Sequence, residues 1–480
     1  MMRTLAIAVV VGAMACRPGY ESPEPDVEWS AGASENDPQN PDRQNDERWW
    51  VRYDDPALHA LIERALRQSL DLRSAFTAIA QARALEDQAR AARMPRLDAQ
   101  VGASFSRNVG LFGSTTSTGV TASLPVSYEV DLFARYAGAH HAATEDAAAS
   151  ELDAAGAAIS TSAQVAEAWY SMVEARARKA LLAEQHQTNE TYLELVRLRF
   201  EQGLASALDV HQQRQQTARS QASLALLDGE IEVLRQQLAV LLGVPGSELA
   251  DLPEVESFPE LGDTPATGVP ATAVWGRPDV RAAQRRVRAA DWRVASAVAS
   301  RLPSIRLSAT PGYTWQRNEI NFGGMSGPRT TDGFTFNAGA TLSVPLFDGL
   351  AGRGLVDQQE AVLQTRVEAM AQTILGSLLE VETAIVQERQ QRQNVELLAE
   401  QVEIAEATLQ AARDRYRTGL SDFLPVLTSL QAQQATQLQL LASRRLLVSR
   451  RIQLHRALGG TWADALEAPP PTELREESDQ

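Results

Sequence analysis

Val120-Thr-Ala-Ser-Leu-Pro-Val-Ser-Tyr-Glu-Val130 alternates without a break. Val120, Ala122, Leu124, Val126, Tyr128 and Val130 fall on one side, and Thr121, Ser123, Pro125, Ser127 and Glu129 on the other. This is a period-2 strand with one apolar and one polar face. Its length suits the roughly 9–11 residues of a tilted membrane strand. After Asp131-Leu-Phe-Ala-Arg135 the alternation stops, and an alanine-rich run without proline occupies 137–200. At about 1.5 Å per residue a continuous helix there is roughly 95 Å long. A membrane-length strand that feeds such a helix is an unusual join, and the chain makes it twice.

Three more segments alternate in the same way. Leu97, Ala99, Val101, Ala103 and Phe105 oppose Asp98, Gln100, Gly102, Ser104 and Ser106. Ile305, Leu307, Ala309, Pro311, Tyr313 and Trp315 oppose Arg306, Ser308, Thr310, Gly312 and Thr314. Phe334, Phe336, Ala338, Ala340, Leu342 and Val344 oppose Thr335, Asn337, Gly339, Thr341 and Ser343. Tyr313, Trp315, Phe334 and Phe336 read either as an interfacial girdle or as core packing. The Gly-, Ser- and Thr-rich stretches 107–119 and 318–333 read as loops.

The duplication shows in short matches. Asp71-Leu-Arg-Ser-Ala75 and Arg93-Met-Pro95 recur as Asp279-Val-Arg-Ala-Ala283 and Arg301-Leu-Pro303, at an offset of 208. Arg199-Phe-Glu-Gln-Gly203-Leu204 recurs as Arg415-Tyr-Arg-Thr-Gly419-Leu420, at an offset of 216. A helix is expected from Leu208 to Leu242 and another from Leu424 to Leu458. Leu224, Leu227, Ile231, Leu234, Leu238 and Leu241 form a heptad seam, as do Val395, Leu398, Val402, Ala405, Leu409 and Ala412.

The organisation that follows is a signal peptide at 1–15, a Pro-, Asn- and Asp-rich tether at 16–48, a first repeat at 49–243, a linker at 244–274, a second repeat at 275–460 and an acidic tail at 461–480. Trp49-Trp50-Val-Arg-Tyr53-Asp-Asp-Pro56 opens the folded part, with Pro56 at a helix start. Cys16 is the one cysteine and follows Ala13-Met14-Ala15. It stands where a lipoprotein box carries its acylated residue, although Ala13 occupies the usual leucine position; an ordinary signal-peptidase site is the other reading. One cysteine excludes an intrachain disulfide and a cysteine metal cluster.

A net charge of −16 argues against nucleic acid as partner. There is no HExxH, P-loop, Gly-x-Ser-x-Gly or Rossmann fingerprint, and no cofactor or enzymatic role is expected. After the N-terminus no unbroken run of about 18 apolar residues is present, so a membrane role is expected to use a barrel. Four strands cannot close one. Known membrane barrels have at least about eight, because an open sheet edge in lipid leaves backbone groups unpaired. Several copies are therefore required, and their number stays open on this argument.

Taken in order, Trp49-Trp50…Tyr53-Asp-Asp-Pro56, Asp71-Leu-Arg73, Ser127-Tyr-Glu-Val-Asp-Leu-Phe133, Pro345-Leu-Phe-Asp-Gly349 and the two Arg-[Phe/Tyr]-x-x-Gly-Leu turns resemble one family. It is the TolC/OprM-like outer-membrane efflux proteins, specifically the NodT-type lipoproteins. The resemblance covers nearly the whole chain. It implies a mixed α and β membrane protein: a homotrimer with a 12-stranded outer-membrane β-barrel, continued by a periplasmic α-helical coiled-coil barrel and lipid-anchored at Cys16. It implies an exit duct for drugs or other toxic solutes, working with an inner-membrane RND-type pump and a periplasmic adaptor (membrane fusion) protein. Type I protein secretion is the alternative duct, and a coiled-coil structural envelope lipoprotein the alternative outside that class. By the same resemblance Gly203, Leu204, Ala205, Ser206, Gly419, Leu420 and Ser421 form the adaptor-docking tip, and Asp422 is the pore constriction. An ordinary helix N-cap is the other reading of Asp422. Pro425 and Thr428 depart from the family pattern just after it.

Overall fold

The computed structural model describes residues 48–110, 113–249, 252–253, 255, 257–262, 271–322 and 325–466. The residues expected to form a signal peptide, Cys16 and nearly all of the expected tether lie outside the described residues. The described chain divides into two compact units. One is drawn from 80–149 and 283–370, the other from 48–79, 150–282 and 371–466, so each takes segments from both repeats.

The first unit holds the sheet: β1 (Arg96–Leu97), β2 (Gln100–Gly110), β3 (Gly113–Ser123), β4 (Val126–Val130), β5 (Ser304–Phe322) and β6 (Met325–Ser343). All neighbours are antiparallel. β2 pairs β3, β1 pairs β4, β3 and β4 pair β5, and β5 pairs β6. These are four strands, two of them interrupted. The register is unchanged from Ser123↔Gly312 to Val126↔Ala309, so only the hydrogen bonding breaks at Leu124-Pro125. Prolines cause this. Pro125 and its opposite neighbourhood at Pro311 lack N–H groups, and the Leu124 N–H is left to donate to the Pro311 carbonyl at 2.9 Å.

The register unites the sequence patterns. Leu307 lies opposite Tyr128 and Ala340, Ala309 opposite Val126 and Ala338, and Tyr313 opposite Ala122 and Phe334. Directly paired residues share a face, so the four apolar sets make one continuous apolar surface. On β5 it runs from Ile305 to Trp315, which at about 3.3 Å per residue and a tilt of about 40° gives a band of about 25 Å. Tyr313, Trp315, Phe334 and Phe336 on it are exposed, which removes core packing as their role; Tyr313 and Phe334 meet edge to face at 5.3 Å.

Two loop expectations are corrected. Residues 107–110 and 113–119 are strand, as are 318–322 and 325–333, with pairing continuing to Gly110↔Gly113 and Phe322↔Met325. Small alternating Ser, Thr and Gly side chains carry no hydrophobic contrast, but the backbone still pairs with its neighbours along the full length.

The helices are α1 (Pro56–Gln68), α2 (Leu70–Ala91), α3 (Arg135–Glu201), α4 (Ala207–Ala225), α5 (Leu227–Leu242), α6 (Ala271–Gly276), α7 (Pro278–Ala299), α8 (Ala351–Arg417) and α9 (Leu424–Leu458). The duplication is metric as well as textual: α2 and α7 have 22 residues each, and α3 and α8 have 67 each. Each long helix is launched from its strand by an aspartate. Asp131 accepts from the Tyr136 and Ala137 N–H groups at 3.2 and 2.7 Å, and Asp348 from those of Leu350 and Gly352 at 3.0 and 2.7 Å. The carboxylates satisfy donors that have no partner within the helix.

The helix expected over 208–242 is two, parted at Leu226. Gly229, a poor helix former, follows the break, and Lys179 and Arg178 of α3 bind Asp228 and Glu230 there. By length and composition α8 contains a stretch apolar enough to cross a membrane, although no apolar run is unbroken. Leu375, Leu379 and Val386 in this region are exposed on the single chain.

The second unit carries the main core. Trp49, Trp50 and Tyr53 of a 3₁₀ turn pack with α1, with residues 155–173 of α3, with α5 and with Trp462. Asp55 explains the Tyr-Asp-Asp-Pro motif. It caps α1 through the Ala57 and Leu58 N–H groups, both at 3.0 Å, and also accepts from Trp169 Nε1 at 2.8 Å. A buried charge cluster sits in the same unit. Glu388 is 0 % exposed. Its Oε1 accepts from Arg451 Nε at 2.8 Å and from Arg392 at 3.4 Å, and both arginines donate to the Gly262 carbonyl of the linker, at 2.8 and 2.7 Å.

His455 of α9 stacks on Trp49 with ring centres 5.3 Å apart. Burial, with Arg451 and Arg52 adding to it, depresses its pKa from 6.5 to about 3. The folded state thus refuses a proton that the unfolded chain accepts. Stability is fully present above about pH 6.5 and falls by about 1.4 kcal/mol per pH unit below it, down towards pH 3. His455→Phe keeps the stacked ring and should flatten that acid limb in a melting-temperature series from pH 7 to pH 4. An unchanged slope would show that other groups set it.

Candidate functional site

The two helix–helix turns lie in the second unit. Both are built by the same local rule. At the end of α3 the Gly203 N–H donates to Phe200 O at 2.9 Å and the Leu204 N–H to Arg199 O at 2.8 Å. At the end of α8 the Gly419 N–H donates to Tyr416 O at 3.2 Å and the Leu420 N–H to Arg415 O at 2.9 Å. These are Schellman closures, and both glycines have φ of +74°. A side chain at either is strained although the space around it is open. The glycines therefore make the turns, and the exposed groups are the leucines after them: Leu204 is 61 % and Leu420 72 % exposed.

The turns then diverge. Ser206 caps α4 in a reciprocal box with Asp209: the Asp209 N–H donates to Ser206 Oγ at 3.2 Å, and the Ser206 N–H to Asp209 Oδ2 at 2.9 Å. Asp422 does not cap α9. The N-cap there is Phe423, with no side-chain cap bond, so the N-cap reading of Asp422 fails. Asp422 is exposed, and Ser421 Oγ donates to its backbone oxygen at 3.3 Å.

What joins the two turns is a cluster that sequence patterning missed. Phe423, 1 % exposed, packs with Val196, Leu409, Tyr416, Val426, Leu427 and Leu430, and Ala205 of the other turn lies against it. Arg199 of α3 stacks over the Tyr416 ring of α8 at 4.2 Å, and Arg413 of α8 over Tyr192 of α3 at 5.1 Å. The signal was present in the Arg-[Phe/Tyr] pairs of the repeated motif, but not which arginine meets which ring. Further from the turns the helices meet through amides. Gln185 Nε2 donates to Gln437 Oε1 at 3.0 Å, Gln434 Nε2 to Asn189 Oδ1 at 3.1 Å and Gln213 Nε2 to Asn189 O at 2.9 Å. Among the described residues no group of His, Cys, Asp and Glu is arranged to hold a metal.

The sequence model of the family described as outer membrane efflux protein matches residues 61–244 and 269–460. The probable efflux pump outer membrane protein SepC of Pseudomonas putida is 27% identical over 483 residues, covering 97% of this chain and 98% of SepC. Nodulation protein T of Rhizobium leguminosarum bv. trifolii is 28% identical over 403 residues, covering 82% and 83%. Among solved structures, the outer-membrane channel OprN superposes with a TM-score of 0.81 at 26% identity, covering 93% of this chain and 99% of OprN. With its strand–helix duplication, its one-sided apolar sheet and these matches along both repeats, the chain belongs to the outer membrane efflux protein family.

Proposed function

We propose that three copies of this outer-membrane efflux channel close one 12-stranded barrel, and that the duct passes drugs or other toxic solutes received from an RND-type inner-membrane pump through a periplasmic adaptor. The role of exit duct comes with the family. The observation that carries the shared barrel is the sheet itself: β2 and β6 are its two open edges, and its apolar face is exposed. In lipid such edges must be paired by other copies.

The adaptor docks on the two turns in this reading, through Leu204, Ala205, Ser206, Leu420 and Ser421, with Gly203 and Gly419 shaping the backbone. Leu204→Asp combined with Leu420→Asp should abolish pump-dependent drug resistance in a host supplying pump and adaptor, while outer-membrane assembly is unchanged. These positions are exposed, so the variant avoids the backbone strain that a glycine replacement brings. Retained resistance at wild-type levels would remove the docking assignment.

Asp422 forms the constriction in the same reading. Its exposed carboxylate, repeated around an axis, repels its copies and attracts cations. Asp422→Ala should raise single-channel conductance in planar bilayers and weaken block by divalent cations. If both quantities stay at wild-type values, the constriction lies elsewhere.

A further inference from the structure

The polar face of the sheet has a sign that the chain as a whole does not. Along the described parts of the four strands, register places five charged side chains on it, three arginines (Arg96, Arg306 and Arg329) against two carboxylates (Glu129 and Asp98, the latter between β1 and β2). Arg107, Arg317, Glu319 and Asp332 fall on the opposite face. Between Arg306 and Arg329 the polar face of β5 offers Ser308, Thr310, Gly312, Thr314, Gln316 and Asn318, with no charge.

At the end of the sheet next to the long helices, Glu129 lies directly opposite Arg306. Its carboxylate, 12% exposed, serves two guanidinium groups, Arg135 at 2.8 Å and Arg306 at 3.4 Å, and accepts from Tyr136 OH at 3.1 Å. One carboxylate between two arginines leaves a positive charge in excess. Arg306 is the group that presents it: its side chain is 66% exposed, and a guanidinium has five N–H donors of which Glu129 engages few. Arg96 is answered by Asp98, which accepts from its Nε at 3.1 and 3.0 Å. At the other end of the sheet Arg329 lies opposite Asn318, exposed.

We propose that Arg306 and Arg329 form two arginine rings in the barrel lumen, one at its base and one at its outer mouth, and that they make the barrel an anion-favouring passage for solutes carrying carboxylate, phosphate or sulfonate groups. This rests on the reading that several copies close a barrel with the polar face inward. Rings of Arg or Lys are how pores favour anions. Low-dielectric walls focus the field of such a ring. The net charge of −16 makes this lining a local departure from the composition rather than its echo.

The test uses the full-length protein in planar bilayers under a KCl gradient, with the reversal potential as readout. A unit charge about 8 Å from the ion path in a water-like medium is worth about a twofold change in ion occupancy. Arg306→Gln combined with Arg329→Gln should therefore shift the chloride-to-potassium permeability ratio towards potassium by at least about twofold. Glu129→Gln should shift it towards chloride. The direction holds whatever a constriction elsewhere contributes, because each variant is compared with the wild type. If the double variant does not insert, Arg329→Gln alone, at an exposed strand position, carries the same expected sign. Channels that conduct normally with an unchanged ratio overturn the arginine rings and leave the barrel standing. Wild-type protein that gives no conductance steps overturns both.

Discussion

Ala309→Arg should abolish assembly in the outer membrane, while Thr310→Arg, one residue further along the same strand, should leave it close to normal. Ala309 sits mid-way along the apolar band of β5, between Val126 of β4 and Ala338 of β6. An arginine on the lipid face at the bilayer midplane costs about 2–4 kcal/mol, and every copy in a shared barrel incurs it. Thr310 points to the polar face, opposite Asn337, where a guanidinium meets water. The readout is the fraction of chain recovered from the outer membrane as a detergent-resistant oligomer. Equal effects of the two substitutions would mean that the sheet does not have one lipid face and one aqueous face.

Arg451→Met should be the most damaging single change in the second unit. It removes the guanidinium closest to the fully buried Glu388 carboxylate and one of the two donors holding the linker carbonyl at Gly262. Stranding a buried charge typically costs about 3–5 kcal/mol. Arg392 remains 3.4 Å from the carboxylate, which favours the lower end. Adding Glu388→Leu to Arg451→Met should recover most of the lost thermal stability, because a neutral pair of similar bulk has no charge to leave unanswered. If the double variant melts as low as the single one, the loss comes from packing and the linker contact, not from the stranded carboxylate.

Much of this architecture could be read from the chain because its patterns are local. The alternation of Val120–Val130 and its three counterparts needs only a period of two, and the register then sets all four apolar sets on one face. Leu227, Leu238, Leu398 and Leu409 of the heptad seams are buried, as a coiled-coil seam requires. The glycine turns at Gly203 and Gly419 were legible because positive φ is a property of one residue. What was not legible depends on distant partners. Residues 107–119 gave no strand signal, since Ser, Thr and Gly alternate there without contrast; pairing of β2 with β3, and of β3 with β5 some 200 residues away in sequence, keeps 107–110 and 113–119 extended. Phe423 reads as one more residue after a turn, and only Val196 and Leu409 make it the plug between the two turns. The cap reading of Asp422, open beside the constriction that the resemblance implied, fails because the backbone starts α9 one residue later and leaves the carboxylate exposed.

The shared barrel is the claim on which the duct, the arginine rings and the cost of Ala309→Arg all depend. It is tested most directly by light scattering on the particle extracted in detergent from the outer-membrane fraction, with the detergent contribution separated from the protein mass. Three chains per particle are expected, each close to the 52.2 kDa of the full sequence. A particle with one chain, holding β2 and β6 as free edges in lipid, would contradict it.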